Sequence, residues 1–133
     1  MADRYFSRAD VEALIPKLTA VMERVMGAHR NALAIEDRMK AEQARITMAG
    51  GASFDRDAWL ADQERRQGLI DRVRSGLDAI AQLGGATKDL EKGLVDFPHL
   101  REGHEVNLCW KFGERAIGYW HGLDEGYAGR KPL

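Results

Sequence analysis

A chain of 133 residues with 44% apolar and 31% charged side chains is sized for one modest core and lies outside the compositions of disordered and membrane-spanning chains. Lys and Arg number 20 against 21 Asp and Glu, so composition forces no basic face, and nucleic acid is not an expected partner. No stretch approaches the ~18 apolar residues of a membrane span, charges at Asp3, Arg4 and Arg8 occupy the place of a secretion signal's apolar run, and the single Cys109 cannot form an internal disulfide; a soluble chain in the cytoplasm is expected.

Ser7 followed by Asp10 reads as a helix N-cap, the acidic residue meeting the exposed first-turn amides. Apolar residues then recur at three-and-four spacing through Val11, Leu14, Ile15, Leu18, Val21, Met22, Val25, Met26, Leu33 and Met39, one stripe of a helix that continues to about Thr47. Pro16 removes an amide donor, so the spacing predicts either a short helix before a long one or one helix kinked there. Met48 to Ser53 is a glycine-rich break, and Ser53 or Asp55 can cap a second helix over 56–83. Gly84 and Gly85 end it, the first pair of a left-handed C-cap, and the second helix must run back along the first.

After Gly85 the period changes from helical to alternating. Leu90 to Phe97, before Pro98, reads as a half-buried strand; Glu105 to Phe112 alternates with Val106, Leu108, Trp110 and Phe112 on one parity; Ile117 to His121 reads as a returning strand. The tail from Leu123 to Leu133, with Gly126, Gly129 and Pro132, is expected to be irregular. The fold class is therefore α+β, a long antiparallel helical hairpin followed by a small three-stranded antiparallel sheet, in one domain over 1–133 with the hairpin at about 7–85 and the sheet and tail at about 86–133.

Four runs carry a family resemblance: Lys88 to Pro98, Val106 to Trp110, Gly118 to His121, and Gly129 to Leu133. With the opening Tyr5-Phe6-Ser7 and Leu14-Ile15-Pro16, the chain resembles the prokaryotic family known as domain of unknown function 2203 along nearly its whole length. The resemblance implies a single soluble domain and supplies no catalytic or binding residues.

The metal-ligand types gather behind Gly85, where three of the four histidines fall, but none stands at a recognised short spacing. With an even loop between the last two strands, opposed positions sum to an odd number, which puts Cys109 and His121 on opposite faces and His104 with His121 on one. The pattern thus selects His104 and His121 as metal ligands, completed by Asp96 or Glu91, for a divalent transition metal or a haem. Hydrogen-bonded structural histidines, surface charges and a merely buried thiol are the plainer account of the same residues. The parity also removes the histidine that a Cys109 nucleophile would need.

The same parity sets Trp120 apart from the packed Trp110–Tyr119 pair, and Trp120, Tyr127 and Cys109 are the candidates for holding a cofactor or small ligand. Two function classes follow: a small cytosolic binding or interaction protein with a ligand or metal site in the C-terminal sheet region, or a small metal- or haem-dependent enzyme built on the His/Asp/Glu/Cys cluster. Strands of six or seven residues cannot cover a helix of thirty. Leu33, Ile35, Met39 and Trp59 are accordingly expected to be wet in a monomer, which predicts a homodimer through the helices.

Overall fold

A computed structural model describes residues 2–50 and 54–133, so the Gly51–Ser53 part of the expected break, Ser53 as a cap included, lies outside the described residues. The first helix, α1 (Arg8–Met48), starts where the sequence signals it: Asp10 N–H donates to Ser7 Oγ at 3.0 Å and Ser7 N–H to Asp10 Oδ2 at 2.9 Å. It is one continuous helix, Pro16 included, rather than a short helix and a long one. Asp55 caps the second, α2 (Arg56–Gln82), accepting from Ala58 N–H at 3.0 Å, and Gly84 closes it at φ +101°.

The three expected strands are present, and two short ones at the edges make five: β1 (Ala86–Asp89), β2 (Leu94–Arg101), β3 (His104–Lys111), β4 (Tyr119–His121) and β5 (Lys131–Pro132), antiparallel throughout and ordered as in the chain. The first expected strand is displaced because residues 90–93 are a turn. Asp89 Oδ1 accepts from the amides of Glu91 and Lys92, and Gly93 adopts φ +71°. The strand then runs through Pro98, which bonds by its carbonyl to Phe6 N–H on the side that β1 has already left, so no β3 ladder bond needs the missing amide. The tail is not irregular either: a 3₁₀ turn at Tyr127–Gly129 leads into β5, and Leu133 N–H bonds Gly118 O.

One face of the sheet packs on the helices. Val95, Phe97, Leu108 and Trp110 meet Phe6, Val11, Ile15, Leu18, Met22 and Ile80, with Ile117 inserted from the loop after β3. Gly85 backs onto the same core, where an added Cβ would lie 2.6 Å from Val95 Cγ1. The distal hairpin closes on itself: Ala28, Ala32, Ile35, Met39 and Leu69 form a second buried cluster with Trp59, Ile70 and Val73 against it. Of the stripe residues expected to be wet, Ile35 and Met39 are buried within the monomer, Trp59 is half-buried and Leu33 is exposed. Ile35 and Met39 therefore need no second copy to cover them, and of the stripe on which the homodimer expectation rests Leu33 and part of Trp59 remain exposed. No helix among the described residues is long and apolar enough to cross a membrane.

Candidate metal centre

The register of β3 and β4 decides the site. Asn107 pairs with His121 and Leu108 with Trp120, so opposed positions sum to an even number, contrary to the expectation from an even loop. The connection is a wide one spanning 112–118, in which Glu114 caps the end of β3 and Ile117 N–H is held by the Glu12 carboxylate of α1 at 3.0 Å. Placing Ile117 in the core costs the connection its even count.

Every face assignment built on that count changes. His121 faces the same way as Asn107 and Cys109, and Asp96, opposite Cys109 on β2, joins them. His104 has the other parity and is exposed at the far end of β3, so it shares no site with His121. Glu91 is exposed in the β1–β2 turn, contributing its amide to Asp89. Trp120 lies on the helix-facing side against the core, its ring flanked by Arg101 and Lys131 at 4.7 Å each, while Tyr119 takes the outer face. The expected Trp110–Tyr119 contact is accordingly absent among the described residues, and Trp110 instead meets Phe112 edge-on.

What the register brings together is Asp96, Cys109 and His121, one from each of three adjacent strands, 4%, 1% and 2% exposed. Their ligand atoms all lie within 4.8 Å of one another. His121 Nδ1 is 2.9 Å from Gly122 O; a carbonyl only accepts, so Nδ1 carries the proton and Nε2 is the nitrogen turned to the cluster, 3.0 Å from Asp96 Oδ1. One proton sits in that Nε2–Oδ1 contact, which makes the pair either an imidazolium and a carboxylate or two neutral groups. Burial, then the negative charge of Asp96 beside it, pushes the Cys109 thiol up to about 12, so the unmetallated residue is a protonated thiol and a poor nucleophile.

The outer face owes its burial to the tail. A cavity of about 160 Å³ is walled by the three donors together with Lys88, Leu94, Asn107, Leu123, Glu125 and Tyr127. The tail turns about Glu125, whose carboxylate accepts from Gly122 N–H at 3.0 Å and pairs with Lys131 Nζ at 2.5 Å, contacts that hold it below the usual carboxylate range. Gly122 and Gly129 make that turn possible, since a Cβ on them would lie 2.9 and 2.7 Å from the two Glu125 carboxylate oxygens. Tyr127 lines the cavity, with Arg130, Lys92 and Lys111 around its ring at 4.8, 5.4 and 5.4 Å. Beside it Arg130 is nearly buried, stacked on Tyr119 at 3.9 Å and paired with Glu114 at 2.6 Å.

Asp96, Cys109 and His121 are legible in the sequence as ligand types and Tyr127 as a ligand-holding aromatic, whereas no local pattern joins Lys88, Asn107 and Glu125 into one wall. Their common signal is parity: Asp96 on β2, and Asn107, Cys109 and Lys111 on β3, form polar alternates to the core residues.

An α+β protein with a helical hairpin under a five-stranded meander, and a polar trio sealed beneath its tail, is the class these features define. The family described as "Uncharacterized conserved protein (DUF2203)" has a model that matches residues 4–133, and the chain belongs to that family. No curated protein and no solved structure matches it.

Proposed function

We propose that this chain is a small binding protein whose C-terminal sheet holds a divalent transition metal through Asp96, Cys109 and His121. The observation that carries the reading is the buried trio itself: an imidazole, a thiol and a carboxyl with ligand atoms within 4.8 Å of each other. Mixed N, S and O donors suit Zn²⁺, whose bonds of ~2.0–2.3 Å require only a small contraction of the trio. His121 already has the orientation of a metal-bound histidine, Nδ1–H fixed on a backbone carbonyl and Nε2 turned to Asp96 and the cluster. The metal would take the places of the Nε2 proton and the thiol proton, and its charge would offset the burial that keeps Cys109 protonated. A reducing cytoplasm suits such a centre, because the thiol has to stay unoxidised.

The second reading is a metal-dependent enzyme, favoured by one feature: three protein donors leave a tetrahedral ion with a position facing the cavity. Haem is set aside, since about 160 Å³ is below the size of pockets that take drug-sized molecules.

Titrating metal-free protein with Co²⁺ tests the proposal. A thiolate-to-cobalt charge-transfer band saturating at one equivalent is expected, absent in Cys109→Ser and weakened in His121→Ala. Protein that remains folded yet shows no such band, and carries no stoichiometric metal by elemental analysis, would reduce the trio to a buried ion pair beside a packed thiol.

A further inference from the structure

Resting on that metal centre, we infer that the position left open on the ion is taken by a small oxyanion, a phosphate or the carboxylate of a small molecule. The three donors stand in the cavity wall, so the fourth ligand must come from the cavity. Its volume of about 160 Å³ matches roughly five water molecules at ~30 Å³ each, which is room for a phosphate or a short carboxylate and not for a nucleotide.

The charge around the site then selects the sign. A divalent ion with one carboxylate and one thiolate is formally neutral. Glu125 is neutralised by Lys131 at 2.5 Å and Glu114 by Arg130 at 2.6 Å. Lys88 in the cavity wall, and Lys92 and Lys111 beside Tyr127, form no ion pair with any described residue. Three ammonium groups without an ion-pair partner, one in the wall and two beside the Tyr127 that lines it, therefore accompany a metal centre that would be electrically neutral, and a cleft of one sign concentrates the opposite ion. Asn107, also in the wall, offers an amide donor to an oxygen atom that a cation or an apolar molecule would not use.

Cobalt-loaded protein provides the test, with inorganic phosphate and acetate as separate probes. Each is titrated while the ligand-field bands of the bound Co²⁺ are followed. A saturable shift with phosphate alone assigns a tetrahedral oxyanion, with acetate alone a carboxylate, and with both an oxyanion site of broad acceptance. In the Lys88→Ala/Lys111→Ala double variant, saturated with cobalt, the half-saturating anion concentration should rise about tenfold, because two of the three unpaired ammonium groups are removed. Bands that ignore both anions while the thiolate band persists overturn the oxyanion inference and leave the metal centre standing. An anion shift of equal strength in the double variant overturns the role of the lysines. Absence of the thiolate band altogether overturns the metal centre, and this inference with it.

Discussion

The two faces of the sheet are both buried at their centres, but by different means. The helix-facing side is closed by α1 and α2 over Val95, Phe97, Leu108 and Trp110, all apolar in their packing. The outer side is closed by a tail of about a dozen residues over Asp96, Cys109 and His121. Burying polar side chains of this kind costs desolvation that packing alone does not recover. Among the described residues the buried polar or charged side chains are Asp96 and His121, and their gathering in one small area marks it as something other than core.

The comparison breaks most visibly on the helix-facing side. Phe97 is fully buried and meets Phe6 edge-to-face at 5.3 Å, so Phe97→Ala should cost about 3–5 kcal/mol in urea unfolding. A loss under about 1 kcal/mol would mean that this side is not the stabilising core. Cys109→Ala, one residue from Trp110 in sequence and on the opposite face, should cost only about 1–2 kcal/mol at neutral pH. It should also change the response to alkali. The native thiol ionises near 12 against an ordinary value of 9.0, so the unfolded chain loses its proton first; the thiol's contribution is complete below pH 9 and is lost as the pH climbs from 9 to 12. Denaturation midpoints across that range should fall more steeply for the parent chain than for Cys109→Ala, and parallel curves would count against the burial described for this thiol. The smallest effect belongs to the far side of the core: Ser7→Ala removes the α1 cap and should lower stability by about 1 kcal/mol, read by the same unfolding experiment. A null result there would place the helix start under tertiary control alone.

The helices could be read in the sequence because their signals are local. Ser7 with Asp10, the apolar stripe from Val11 to Met39, and Gly84 each act over a few residues, and the structure follows them to within a residue or two. The strand parity of β3 was equally plain. What local reading could not supply was the relation between strands, since a face assignment across β3 and β4 hangs on the count of residues between them. That count is set from outside, by Glu12 holding Ile117 N–H and by the burial of Ile117. A change of one residue in that count puts Trp120 at the core and His104 outside the site, and brings Cys109 to His121. The tail differs from its local signal for a related reason: Gly126, Gly129 and Pro132 signal irregularity, while the carboxylate about which the chain turns is visible only once folded.

The tie between Glu12 and Ile117 also orders events in time. It joins residues 105 apart, as Ala2 to Glu105 and Phe6 to Pro98 join others 103 and 92 apart, so each closes a loop spanning most of the chain. Closing such loops is entropically late, whereas the α1–α2 pair and the β2–β3 hairpin form from near neighbours. The β3–β4 register is therefore locked only after the first turns of α1 have docked. Until then Cys109 has no fixed partner across the sheet, and a folding chain acquires its helices before it acquires its polar trio.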